Sequence, residues 1–132
     1  MRTCSVTGCA LTLVKPLGFS VSNKWLKRAG LDYWEGVDIA MIDDLVCYLE
    51  QLQTPFYFFS RHAQKLYTEV QYESDCHLIF GSETTGLAPI FWEKWPAHFY
   101  KIPMKPKSRC LNLANSVSVV VYEGIRQTNA LA

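Results

Sequence analysis

Residues 78–127 read LIFGSETTGLAPIFWEKWPAHFYKIPMKPKSRCLNLANSVSVVVYEGIRQ. An apolar run over 77–80 ends at Gly81, and a second over 99–102 ends at Pro103. The first run leads into a glycine-bounded turn. The second leads into a long, basic, polar loop and then an amphipathic stretch. Short apolar runs closed in this way read as strands buried in a parallel sheet. In open α/β sheets, ligands bind outside the carboxyl ends of such strands. The C-terminal half is therefore where the chemistry is expected, and α/β is the expected fold class.

Working outward, apolar runs alternate with helical patterns, as in a chain of βαβ units. Strands are expected over 10–14, 37–42, 56–59, 77–80 and 99–102. Ser22 or Asn23 can cap a short helix over 24–29, with Gly30 as its stop. Asp43 is expected to cap a helix running to about residue 53, with Leu45, Tyr48, Leu49 and Leu52 on one face. Thr54-Pro55 ends it, because proline breaks a helix. Residues 60–76 show no clear period, although 65–70 fits a helical turn. A short helix is expected over 88–95 and a loop over 104–112. The last stretch carries two signals. Val117, Val119, Val120, Val121 and Tyr122 favour a strand. Leu113, Val117, Val120, Val121 and Ile125 fit one helical face, which Asn115 or Ser116 can cap. Propensity alone leaves both open.

Composition sets the outer limits. The 132 residues suit one domain, residues 1–132, and a content of 49% hydrophobic and 14% aromatic residues supports a real core. No apolar run approaches the roughly 20 residues of a membrane span. Thr7, Gly8 and Lys15 interrupt the N-terminal run too early for an export signal. Five cysteines, an odd number without any C-x-x-C pair, argue against a disulfide framework and against zinc. They read as reduced thiols in a cytoplasmic protein. His62, His77 and His98 are isolated, fit no metal-ligand spacing and read as structural or surface residues, so no metal is expected.

The net charge of +1 creates no global field for nucleic acid. Its distribution is more informative. Lys101, Lys105, Lys107 and Arg109 fall within an acid-free run, and Lys24, Lys27 and Arg28 form a second cluster. A charge run is usually a solvated face. Inside a candidate ligand loop, it is also a candidate set of phosphate contacts.

Three motifs stand out. GSETTG at 81–86 follows a strand and precedes a helix; glycine allows a sharp turn and close approach to a ligand. By itself it is also compatible with an ordinary turn capped by Ser82 or Thr85. Neither G-x-G-x-x-G nor a Walker pattern is present, so a dinucleotide or nucleotide-triphosphate cradle is unsupported. Ile102-Pro103-Met104 is extended ahead of proline and can offer backbone groups to an adenine edge, or simply end a strand. SRCLNLAN at 108–115 is rich in hydrogen-bonding side chains.

Taken in order, FGSETTGL, IPM and SRCLNLANSVSVVVYEGIRQ resemble the three signature segments of the SPOUT methyltransferases. KPLGF at 15–19 and RAGLDY at 28–33 narrow the resemblance to the tRNA (cytidine/uridine-34) 2'-O-methyltransferases. It extends over residues 2–127. The resemblance implies a SPOUT α/β-knot: a mostly parallel sheet, helices on both faces and a C-terminal trefoil knot. It makes the final stretch a helix that packs in a homodimer interface. It implies S-adenosylmethionine as cofactor, lined by Phe59, Gly81, Ile102 through its backbone, and Cys110, where relatives typically have serine. It assigns Arg2 and Tyr122 to catalysis or substrate binding. Lys24, Lys27, Arg28, Lys105, Lys107 and Arg109 become candidate contacts to the tRNA anticodon stem-loop. The family's first strand and N-x-G-N loop have no counterpart before Arg2, so a start at an internal methionine or a shortened chain is expected. The missing strand also motivates an alternative, a non-catalytic RNA- or cofactor-binding relic of the fold. A flavodoxin-like nucleotide-binding protein is a weaker third reading; it lacks a phosphate loop and predicts no knot.

Overall fold

The computed structural model describes residues 2–15, 37–83, 85–106, 109 and 111–131. The chain forms two compact units, Met1–Gln51 and Leu52–Ala132.

The first unit opens with α1, Arg2–Thr7, a helix the sequence reading did not anticipate. Gly8 ends it in the left-handed region at φ +75° and donates its N–H to the Cys4 carbonyl at 2.9 Å, the glycine stop expected of a helix C-terminus. Strands β1 (Leu11–Val14) and β2 (Ile39–Ile42) pair in parallel, Leu11 opposite Ile39. Helix α2 spans Leu45–Glu50. Its cap is Asp44, not Asp43: the Asp44 carboxylate accepts the Cys47 N–H at 3.1 Å. Asp43 instead lies 3.6 Å from Lys15 Nζ. The helix also stops earlier than its apolar pattern suggested. The expected 24–29 helix lies outside the described residues.

The second unit is a parallel sheet in the order β4-β6-β3-β5, made of β3 (Phe56–Phe59), β4 (Lys65–Leu66), β5 (His77–Phe80) and β6 (Phe99–Lys101). The expected helical turn over 65–70 is divided between β4 and a short 3-10 turn, Tyr67–Glu69. Helix α3 is Pro89–Lys94 and helix α4 is Leu113–Thr128.

β3 shows why its four residues read as apolar throughout. Successive side chains point to opposite faces of a sheet, and here both faces are covered. On one, Phe58 stacks on Phe99 with ring centres 4.7 Å apart and meets Phe91 of α3 at 5.4 Å, while Phe56 meets Trp95 at 5.4 Å. On the other, Phe59 packs with Val70, Tyr72 and Val120 of α4. The expectation of helices on both faces of a mostly parallel sheet is met.

The conflict at the C-terminus resolves as helix. Val120 is fully buried and Val121 nearly so, and Leu113, Val117 and Ile125 on the same face are partly buried. Burial of this apolar face outweighs the small helix penalty of each β-branched residue. The cap is Asn112, earlier than Asn115 or Ser116; its side-chain oxygen accepts the N–H groups of Ala114 at 2.8 Å and Asn115 at 3.4 Å.

A close approach and one hydrogen bond tie α4 to Tyr72. Gly124 lies against Tyr72, and a Cβ there would sit 3.3 Å from the ring. Gln127 Oε1 accepts the Tyr72 N–H at 3.2 Å, and Gln127 Nε2 donates to Glu123 at 2.7 Å. Arg126 donates to both Glu123 oxygens, at 2.8 and 2.9 Å. These bonds, Arg126 first and then Gln127, lower the Glu123 pKa from the ordinary 4.5 to about 2. A depressed carboxylate pKa stabilises the fold above the unfolded value, and that stabilisation is lost as pH falls through the folded value. Glu123→Gln is therefore expected to lower Tm at pH 7 and to change it little at pH 2. Thermal melts across this range check it; an equal loss at both ends would show that the carboxylate charge is not what matters.

Candidate active site

β3 lies between β5 and β6, so the chain order reverses on either side of it. This is the position in an open α/β sheet where a crevice forms outside the strand ends. A cleft of about 580 Å³ lies there, wholly within the second unit. Four segments build it: Phe59 to His62 at the end of β3, Phe80 to Glu83 with Thr85 to Leu87 at the end of β5, Ile102 and Met104 after β6, and the start of α4. A volume of this size suits a cofactor or drug-sized ligand.

The loop after β5 closes on itself. Ser82 and Gly86 form a bridge, with the Gly86 N–H donating to the Ser82 carbonyl at 3.0 Å. Ser82 Oγ accepts the Thr85 N–H at 3.0 Å and lies 2.6 Å from Thr85 Oγ1. Gly86 sits at φ +68°, a region that strongly favours glycine. Gly81 is needed for a different reason from the one the sequence suggested. A Cβ on it would fall 2.4 Å from the Gly86 carbonyl carbon and 2.6 Å from Leu87 N. The close approach is backbone to backbone within the loop, before any ligand is considered.

The cleft combines an apolar floor with a polar rim. Phe59 is 7% exposed, and Phe80, Leu87, Ile102 and Leu113 are partly buried. Arg61 and Glu83 are the charged side chains among the described lining residues; His62, Ser82, Thr85 and Asn112 add polar groups. Asn112 thus both caps α4 and lines the cleft.

Of the sequence-derived cofactor residues, Phe59, Gly81 and Ile102 meet in this cleft; Cys110 lies outside the described residues. Tyr122 is 48% exposed on α4 and is not part of the cleft lining. Arg2 is exposed at the start of α1, in the first unit. Lys105 and Arg109 are exposed between β6 and α4. Lys24, Lys27, Arg28 and Lys107 lie outside the described residues. The sequence reading missed Arg61 and His62 as lining residues. Their position directly after a buried strand that itself reaches the crevice was the available signal.

The SpoU rRNA Methylase family model matches residues 1–122. The chain belongs to the SpoU methylase family of SPOUT methyltransferases. A tRNA (cytidine(34)-2'-O)-methyltransferase of Yersinia pestis is 41% identical over 134 residues, covering 96% of this chain and 83% of that protein. A structure solved in a study of 2-OH methylation of C/U34 on tRNA is 38% identical, with a TM-score of 0.86 over 97% of this chain and 84% of the other. The SpoU methyltransferase AviRb of Streptomyces viridochromogenes, in complex with AdoMet, shares the fold at 17% identity and a TM-score of 0.79, covering 98% of this chain and 54% of its own.

Proposed function

We propose that this chain transfers the methyl group of S-adenosylmethionine to the ribose 2'-hydroxyl of the wobble nucleotide, cytidine or uridine 34, of tRNA. The observation that carries this reading is the cleft, in which Phe59, Gly81 and Ile102 converge outside three parallel strand ends. The similarity to a curated cytidine-34 enzyme over nearly the whole chain narrows it to one reaction.

The residues present fit the cofactor. The floor of Phe59, Phe80 and Leu87 offers apolar surface to a nucleoside and keeps water away. The extended segment after β6 presents backbone groups to the base edge, and Cys110 is read as the fourth cofactor contact. Bound there, S-adenosylmethionine supplies a methyl group already activated by its sulfonium, so the reading assigns no metal to the site. The protein's task is to orient the 2'-hydroxyl in line with that methyl group, and orientation is a large part of what a site can contribute. Arg2 is too basic to serve as an ordinary proton acceptor; its role is to hold ribose or phosphate, with Tyr122 as the second substrate-facing group. Lys105, Lys107 and Arg109, with Lys24, Lys27 and Arg28, meet phosphates of the anticodon stem-loop.

The reading extends to the whole chain. Residues 1–132 act as one domain, since the family match runs through both units. The fold carries the family's C-terminal trefoil knot, and the protein works in the cytoplasm. Two copies associate through α4, which leaves Val119 at 37% and Tyr122 at 48% exposure on one chain. Sedimentation is expected to show a dimer at micromolar concentration and a shift to monomer in Val119→Glu. A wild-type monomer that binds S-adenosylhomocysteine would refute the assembly.

The activity test uses bulk tRNA and S-adenosylmethionine, with the product mapped by nuclease digestion and mass spectrometry. A 2'-O-methylated nucleotide 34 is expected. Methylation on a base, or no product from folded protein that binds S-adenosylhomocysteine, would overturn the reading. The second outcome would favour the non-catalytic relic.

A further inference from the structure

The turn after β3 has a construction that the cofactor does not account for. The Ser60 N–H donates to the Tyr100 carbonyl at 2.9 Å, which ties the start of the turn to β6. The Ala63 N–H donates to the Ser60 carbonyl at 3.1 Å, and the His62 N–H to Ser60 Oγ at 3.2 Å. Ala63 is 5% exposed. The turn is therefore held at both ends, while Arg61 and His62 between them are exposed and line the cleft. Phe59, just before the turn, is buried in the cleft floor. Phe59 is thus buried, whereas Arg61 and His62, which line the same cleft, are open to solvent.

We propose that Arg61 and His62 form a phosphate-contacting rim that seats the RNA strand beside the ribose to be methylated. The inference rests on the tRNA-methylation reading above. A guanidinium presents a fork of donors that matches phosphate geometry, and an imidazole adds one or two more. Fixing the backbone of these two residues in advance lowers the ordering cost of the contact. A flexible single strand, such as an anticodon loop, needs such a fixed point if its hydroxyl is to stay in line with the methyl group. A carboxylate on the cofactor is the other oxyanion that could reach a cleft residue, and the two sources give opposite results below.

The test compares Arg61→Ala, His62→Ala and Arg61→Lys with wild type, using tRNA and S-adenosylhomocysteine as separate probes. Lys94→Ala, on an exposed residue that does not line the cleft, is the control for unspecific charge loss. Arg61→Ala is expected to weaken tRNA binding about tenfold and to make the salt dependence shallower by about 0.7 per lost contact to a single strand. Arg61→Lys is expected to restore the slope, and His62→Ala to weaken tRNA binding by a smaller factor. S-adenosylhomocysteine affinity is expected to be unchanged in all of them. Loss of S-adenosylhomocysteine affinity with intact tRNA binding would place the cofactor's carboxylate at the rim and overturn the proposal. Unchanged binding of both probes, or the same tRNA loss in Lys94→Ala, would reduce Arg61 and His62 to a solvated turn. If wild-type protein forms 2'-O-methylated nucleotide 34 while these variants bind tRNA normally, this inference alone fails; a base-methylated product from wild type overturns the function reading and this inference with it.

Discussion

Gly81→Ala is expected to lower S-adenosylhomocysteine affinity at least about tenfold and methyl transfer about a hundredfold, while the protein stays folded. The added Cβ would lie 2.4 Å from the Gly86 carbonyl carbon, 2.6 Å from Leu87 N and 2.8 Å from Gly86 Cα. All three are backbone atoms, so no flexible side chain can swing aside. Either the end of β5 or the Gly86–Leu87 segment must move, and both are walls of the cleft. A misplacement on the order of 1 Å can cost about a hundredfold in rate, and a tenfold loss of affinity corresponds to about 1.4 kcal/mol.

Gly86→Ala separates loop shape from loop strain. A Cβ at Gly86 meets nothing within 4 Å, but the residue sits at φ +68°. Its cost is conformational, about 1–2 kcal/mol, and falls on stability more than on the cleft wall. Gly86→Ala should thus lower Tm and largely retain cofactor affinity, whereas Gly81→Ala should lose cofactor affinity beyond any fall in Tm. Calorimetry and circular dichroism on the two proteins decide between them. Full affinity in a folded Gly81→Ala protein would show that this wall does not contact the cofactor.

Gly81 also shows how far the sequence could be read. The residue was identifiable, because a glycine after a short apolar run marks a strand-to-helix turn. Its reason was not, since the close partner, Gly86–Leu87, depends on a bridge between Ser82 and Gly86 that local sequence does not specify. The strands Phe56–Phe59 and His77–Phe80 could be read to the residue because each is a short apolar run closed by a turn signal, the first largely buried and the second partly so. α4 could not be assigned from propensity, which leaves strand and helix open; the family resemblance makes it a helix, and the burial of Val120 against Phe59, Val70 and Tyr72 gives the physical reason. Asp43 is the expected cap of α2, but the next residue, Asp44, takes that role, and Asp43 lies 3.6 Å from Lys15 Nζ. Residues 60–63 carry no period because the turn is held by single bonds to Tyr100 and Ser60 rather than by a repeating face.

The largest stability effect is expected at Phe58. Its side chain is fully buried in the strand at the centre of the described sheet. It contacts Phe99 of β6, Phe91 of α3 and, by edge-to-face and stacked rings, Phe56 and Trp95. Phe58→Ala removes the ring and leaves a cavity that these neighbours, themselves stacked on one another, cannot readily fill. Such truncations cost about 3–5 kcal/mol, a large part of the roughly 5–15 kcal/mol that holds a domain together. Phe58→Leu keeps most of the volume and should lose much less. Urea titration should therefore show a large fall in midpoint for Phe58→Ala and a small one for Phe58→Leu, with the slope unchanged in both. Because β3 places Phe59 in the cleft floor one residue later, Phe58→Ala should also weaken cofactor binding near its melting temperature and much less well below it, where the fraction folded is still high. A cofactor loss independent of temperature would instead mean that Phe58 shapes the floor directly, through the position of Phe59.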